Sequence, residues 1–273
     1  MKIWCQQHKL AAAGLTGLII LTAAAIIVPL CSNYSYSAQD VQIKNLPSSF
    51  AHLFGTDKFG RDIFVRVWYG TRISLMIGIG SAFINGIIGI LYGGTAGFIG
   101  GRADMLLMRI ADVISSIPSL LYIILITMVL GANVGSLLLG ICIAGWISTA
   151  RIVRGEMLRL KEMEYVMAAN LSGVPKWIIF FKHLLPGTLG PVIVNITVLI
   201  PQAIFTEAFL SFVGIGIEAP MASLGTLIQD ARSQMQLYPS QMVYPIFILC
   251  LLVVSISFVG ADLERAAKSQ RRG

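Results

Sequence analysis

Apolar and polar positions alternate along this chain in long blocks. Nearly uncharged runs cover roughly residues 10–31, 73–100, 113–131, 134–151, 190–212 and 242–261, with polar segments between them. A helix needs about 20 apolar residues to cross the hydrocarbon core of a bilayer. It also satisfies its own backbone hydrogen bonds, which lipid cannot do for it. The pattern therefore predicts an all-α integral membrane protein with six transmembrane helices. The first run follows Lys2 and Lys9, flanks that also suit a cleaved signal peptide, but Leu10 to Leu30 is longer than the usual apolar core of about 7 to 15 residues.

Composition points the same way. Of 273 residues 56% are hydrophobic and 12% are charged, with mean hydropathy +0.80, against about 25% charged residues in soluble domains. The net charge of +7 does not call for nucleic acid, because its distribution follows the positive-inside rule. With the N-terminus inside, most of the 20 Lys and Arg lie on cytoplasmic segments, among them Arg102, Arg109, Arg151, Arg154, Arg159, Lys161, Lys176, Lys182, Arg265, Lys268, Arg271 and Arg272. The main outer loop mixes Lys44, Lys58, Arg61, Arg66 and Arg72 with Asp40, Asp57 and Asp62. Both termini are thus expected in the cytoplasm. Cys5, Cys31, Cys142 and Cys250 lack CxxC spacing, which argues against a metal site and against disulfides. A membrane enzyme lacks support: HExxH and GxSxG are absent, and His8, His52 and His183 lie outside the spans. With no GxxxxGK[ST] phosphate loop either, ATP binding would have to come from a partner.

Four features carry more specific expectations. Gly89, Gly93, Gly97 and Gly101 repeat every fourth residue in the second span, a bare face that a neighbouring helix can approach closely. Residues 151–188 read as a cytoplasmic hairpin: a helix over Lys161–Leu171, a left-handed cap at Gly173, then Pro175 and a second helix through Trp177–Phe181 that stops near Pro186. Its aromatic and aliphatic side chains need cover, either from the bilayer interface or from another protein. In the outer loop, Thr56 and Asp57 suit backbone capping, Gly60 suits a turn, and Ile63–Trp68 form an apolar patch expected to re-enter the interface. Glu207 lies within the fifth span, as a pathway residue or as a hydrogen-bonded strut between helices. Pro118 and Pro201 are expected to kink their spans. A proton-coupled secondary transporter is the rival reading, although it should show more ionisable groups at mid-membrane than Glu207 alone.

The sequence also resembles a known family. Glu164-Tyr-Val-Met-Ala168-Ala169-Asn-Leu-Ser-Gly173, continuing to His183-Leu-Leu-Pro186, resembles the EAA loop of binding-protein-dependent ABC importer permeases. Phe54-Gly55-Thr56-Asp57-Lys58-Phe59-Gly60-Arg61-Asp62, Tyr69–Leu75 and Glu207-Ala-Phe-Leu-Ser211-Phe-Val-Gly214-Ile-Gly216 are similar to the dipeptide, oligopeptide and nickel branch, specifically the second of its two permease subunits. The resemblance runs from about residue 50 to 260, and Ile147–Gly155 and Thr188–Ile217 look closest to oligopeptide members. It implies that Glu164, Ala168, Ala169, Gly173, Leu185 and Pro186 form a coupling element docking in a cleft of an ATPase. Glu207 and Ser211, within the last of these stretches, are the pathway candidates. Gly55, Thr56, Asp57, Gly60, Arg61 and Asp62 form an extracytoplasmic motif, read either as a contact with the binding protein or gate or as an anchoring belt at the interface.

The organisation so implied is an N-terminal helix and extracytoplasmic segment over residues 1–72, a permease domain over 73–261 and a cytoplasmic tail over 262–273. The expected partners are a second permease, two ATPase subunits carrying ATP and Mg, an extracytoplasmic peptide-binding protein and the lipid of a bacterial plasma membrane. No cofactor is expected in this chain. Two positions depart from the family pattern: Asn170 stands where a basic residue is common, and Val259–Arg265 is followed by Ala-Ala-Lys in place of an acidic run.

Overall fold

The computed structural model describes residues 9–270 as a helical bundle. Its helices are α1 (Lys9–Cys31), α2 (Ile63–Ile99), α3 (Gly101–Ser116), α4 (Ser119–Leu130), α5 (Val134–Lys161), α6 (Glu164–Leu171), α7 (Lys176–Val213), α8 (Leu224–Arg232) and α9 (Ser240–Gln270). Among the described residues α1, α2, α5, α7 and α9 are each long and apolar enough to cross a membrane. The calls on Lys2, Cys5, His8, Arg271 and Arg272, and on the side chain of Lys268, lie outside the described residues.

The expected third span, 113–131, is not one straight helix. It is the bent pair α3 and α4, which meet at 73° and make a sixth span only if taken together. The break falls at Ile117, held extended at φ −88° and ψ 128°, because the ring of the following Pro118 disfavours helical geometry in the residue before it. α4 alone has 12 residues, about 18 Å of helix, too short for a core of about 30 Å.

The second span starts at Ile63, not at residue 73, and runs for 37 residues. Asp62 caps it by accepting the Val65 N–H at 2.9 Å, which satisfies one of the donors that a helix start leaves free. Arg66 does not end the helix, because ion partners meet it within its first turns. The patch Ile63–Trp68 accordingly faces the interior of the bundle, with Phe64 half-buried. Ile63, Val67 and Trp68 pack in one core with Leu21 and Ala25 of α1, Ile204 of α7, Leu224 of α8 and Leu252 of α9.

The glycine face is real over three of its four positions. A Cβ on Gly89 would sit 2.4 Å from the Thr149 Cβ, one on Gly93 2.1 Å from the Ala150 carbonyl oxygen, and one on Gly97 2.6 Å from the Met157 Cβ. α2 and α5 therefore cross backbone to backbone. Gly101 falls outside this seam: α2 has ended at Ile99, and Gly101 opens α3 with φ +61° and no neighbour within 4 Å.

The second helix of the hairpin does not stop near Pro186 but continues as α7 to Val213. Proline has no N–H, and its ring collides with the carbonyl four residues back in a regular helix. Here the turn ahead of it widens into a π segment over Ile179–Leu184, where the Leu185 N–H bonds to the Phe180 carbonyl. The wide turn lets the helix pass through the proline. It also spaces the buried side chains Ile179, Leu184, Thr188 and Val192 by five, four and four residues along one face.

The outward faces carry large apolar side chains such as Ile19, Ile20, Phe83, Leu91, Val129 and Phe247, as a lipid-solvated surface requires. The seam yields a direct test. Gly93→Ala should lower the melting temperature of the detergent-solubilised protein by an amount equivalent to about 3 kcal/mol of overpacking. Gly190→Ala, whose Cβ meets nothing within 4 Å, should leave it unchanged or slightly raised.

Candidate functional site

Three groups of residues bear on function, and they lie at the two ends of the bundle and inside it. The first is the hairpin joining α5 to α7. α6 ends in a left-handed residue, Gly173 at φ +74°. The Val174 N–H returns to the Ala169 carbonyl at 3.1 Å and the Gly173 N–H to the Asn170 carbonyl at 3.1 Å. This is the bond pair that closes a helix on a left-handed glycine, and the expected cap at Gly173 is present.

Val166 is the anchor of the hairpin. It packs with Val153, Met157 and Leu160 of α5 and with Ile179, Leu184 and Val192 of α7, with Ala169 and Leu185 at the edge of the cluster. Burying Val166 and Ala169 turns the other face outward, so Glu164, Tyr165, Ala168 and Leu171 are exposed, Leu171 at 89%. Trp177 and Phe181 extend this apolar surface onto α7. Glu164, Ala168 and Gly173 thus share an exposed hairpin, whereas Leu185 and Pro186 lie at its root, Leu185 partly buried and Pro186 exposed. Behind the hairpin, Arg154 holds Asp104 of α3 through two bonds of 2.5 and 2.6 Å, and Arg151 holds Asp112 at 2.9 Å. Each pair ties α3 to α5.

The second group closes the opposite end of α2. Thr56 accepts the Leu46 N–H at 2.9 Å and donates to the Ile43 carbonyl, while Asp57 accepts the Phe59 and Arg61 N–H groups at 2.8 and 3.0 Å. Arg61 bridges Asp57 at 2.6 Å and Asp230 of α8 at 2.8 Å. Arg66 reaches the Tyr36 carbonyl and Asp230. Asp62 caps α2 with one oxygen and holds the His52 Nδ1 at 2.7 Å with the other. Gln241 of α9 donates to the Thr56 carbonyl at 3.0 Å. At Gly60, with φ +75°, a Cβ would lie 1.8 Å from the Asp40 carbonyl oxygen, which only glycine permits.

All six motif residues, Gly55, Thr56, Asp57, Gly60, Arg61 and Asp62, are buried here. They form a knot joining the segment after α1 to α2, α8 and α9. The sequence marks one strand of this knot. Asp230 and Gln241 escape notice because no local spacing links residue 57 to residue 230, and His52 reads in the sequence only as a histidine outside the spans.

The third group surrounds Glu207, which is fully buried at 0% exposure. Ser74 of α2 donates to Oε2 at 2.9 Å and Ser211, one turn further along α7, to Oε1 at 2.8 Å. The Leu224 N–H at the start of α8 meets the same Ser74 hydroxyl at 3.5 Å. Glu207 and Ser211 therefore meet each other and join three helices.

Comparison with known proteins accords with this arrangement. The family described as the binding-protein-dependent transport system inner membrane component matches residues 88–268, and the N-terminal TM domain of oligopeptide transport permease C matches residues 6–47. The oligopeptide transport system permease protein OppC of Bacillus subtilis (strain 168) is 41% identical over 267 residues, covering 98% of this chain and 88% of that protein. The dipeptide transport system permease protein DppC of the same organism is 41% identical over 268 residues, covering 98% of this chain and 84% of that protein. The glutathione transport system permease protein GsiD of Pectobacterium atrosepticum is 35% identical over 261 residues, covering 96% of this chain and 87% of that protein. With the matches spanning its bundle, its hairpin and its first helix, this chain belongs to the family of binding-protein-dependent transport system inner membrane components, the membrane permeases of ABC importers.

Proposed function

We propose that this chain forms part of the translocation path for short peptides and that α6 and the start of α7 receive the stroke of a cytoplasmic ATPase. The observation that carries this reading is the hairpin. It is a short helix fixed from behind by Val166 and closed by a left-handed glycine, with an apolar outer face too large to leave in water. Such a face fits a socket on a partner. Movement of α6 would pass through the Val166, Ile179 and Leu184 contacts into α5 and α7, the helices that line the interior. The relatives named for oligopeptides, dipeptides and glutathione support a peptide cargo.

The working unit pairs this chain with a second permease, two ATPase subunits that bind ATP and Mg, and an extracytoplasmic binding protein. The hairpin, with Arg151, Arg154, Arg159 and Lys161 behind it, lies on the cytoplasmic side. The knot around Asp57 lies outside, a rigid platform for the binding protein. Glu207 acts as a brace between α2, α7 and α8, and transport depends on it through the shape of the bundle.

Each part of this reading has its own test. In a background without the native cysteines, Ser48→Cys in intact cells should react with an impermeant thiol reagent and Ser172→Cys only after permeabilisation; the reverse pattern inverts the topology. At Gly173 a Cβ would meet no atom of this chain within 4 Å, and a side chain there strains the left-handed turn by about 1–2 kcal/mol. Gly173→Val should therefore insert normally yet co-purify with less ATPase, as should Leu171→Asp. Full ATPase recruitment and full peptide uptake in both variants would remove the hairpin from the mechanism. Glu207→Ala leaves two serines without their acceptor, so it should lower stability by about 1–3 kcal/mol and reduce uptake more than Glu218→Ala. Glu207→Gln, which keeps an acceptor oxygen, should recover most of both.

A further inference from the structure

A cavity of about 260 Å³ opens between α2, α4, α5 and α7, lined by Asn85, Ser119, Ser148, Gln202 and Thr206 among aliphatic side chains. Polar side chains from four helices converge on one space inside a bundle whose outer faces are hydrocarbon. Asn85 is 2% exposed, and its carboxamide oxygen has no hydrogen-bond partner among the described residues. The amide lies on bare backbone: a Cβ on Gly145 would stand 2.4 Å from the Asn85 Nδ2. Thr206 donates to the Gln202 carbonyl at 2.8 Å and Ser148 to the Gly145 carbonyl at 3.3 Å. Each hydroxyl satisfies its proton within its own helix and keeps its lone pairs for the cavity. An unmet amide at this depth is costly; the Asn85 oxygen is buried in the cavity wall, and a rotation of the side chain turns it toward a ligand in the cavity.

The chemistry of the lining selects the ligand. No charged side chain lines the cavity, so a peptide side chain of either sign finds neither a strong partner nor a repelling one. The available groups are carboxamides and hydroxyls, which exchange hydrogen bonds with N–H and C=O alike. Every peptide carries those two groups in its main chain whatever its sequence. We propose that this cavity is a station in the permeation path where Asn85, with Gln202 and Thr206, takes up main-chain amides of the passing peptide. The proposal rests on the peptide-import reading above. Asn85 is the specificity-determining group for the main chain, and Gly145 the position that leaves room for it.

The test uses the complete importer in proteoliposomes, with its binding protein and labelled tripeptides and pentapeptides of acidic, neutral and basic composition. Asn85→Leu keeps the volume and removes the amide. It should cut uptake of every peptide about tenfold, the scale of one lost hydrogen bond to a passing group, while abundance and co-purification with the companion permease and the ATPase subunits stay near wild type. A photo-cross-linking amino acid at Gln202, which is exposed to the cavity and does not support the packing, should label peptide only during ATP turnover. Wild-type uptake by Asn85→Leu together with no label from position 202 would overturn the station and leave Asn85 an unfavourable packing residue. A loss confined to one charge class would overturn recognition of the main chain. Failure of the wild-type complex to move any of these peptides would instead overturn peptide import, and the station's ligand with it.

Discussion

Everything in this bundle depends on the contact between α2 and α5, where two backbones meet without side chains between them. In lipid there is little hydrophobic gain from bringing helices together, so packing must come from close approach. Gly89, Gly93 and Gly97 supply it by lying against Thr149, Ala150 and Met157. α2 runs through the centre and also packs on α1 and α7, so its fixed relation to α5 sets the place of the others. The polar cavity at Asn85 and Gly145 lies on the same pair of helices, and its shape follows from their separation.

Most of the buried charge is handled by pairing, with the Asn85 amide oxygen left without a partner among the described residues. At one end Arg61 and Arg66 share Asp57 and Asp230; at the other Arg154 meets the buried Asp104, while Arg151 and Asp112 pair on the exposed surface, where such a bridge adds little. Removing one member of a buried pair strands the other and typically costs about 3–5 kcal/mol. Inside, Glu207 keeps two serine hydroxyls for itself. α6 stands apart from both networks, held by apolar contacts and one glycine turn.

The spans and the hairpin were legible in the sequence because each rests on local information, an apolar run in one case and a glycine between two helix-forming stretches in the other. The motif Gly55–Asp62 was visible too, but not its role in the fold. Its partners Tyr36, Asp230 and Gln241 are far away in sequence, and tertiary ion pairs leave no spacing to read. The start of α2 at Ile63 is hidden in the sequence because Arg66 and Arg72 interrupt the apolar run, whereas Asp57 and Asp230 neutralise Arg66 in the fold. The course of α7 is hidden for a local reason: a proline reads as a stop, and a π turn that carries a helix past it has no signature in composition. Asn85 drew no notice, since one amide in a long apolar helix becomes informative only when its neighbours are known.

The wide turn at Ile179–Leu184 sets the phase of everything beyond it. Each residue of an α-helix advances the chain by about 100° around its axis, and the five-residue step from Ile179 to Leu184 absorbs one such increment. Without it the stripe Leu184, Thr188 and Val192 would not line up with Ile179, and Trp177 and Phe181 would point elsewhere around the helix. Losing a single residue in this segment would therefore act as a rotation rather than a shortening: the helix would still span, but the hairpin would face a different way.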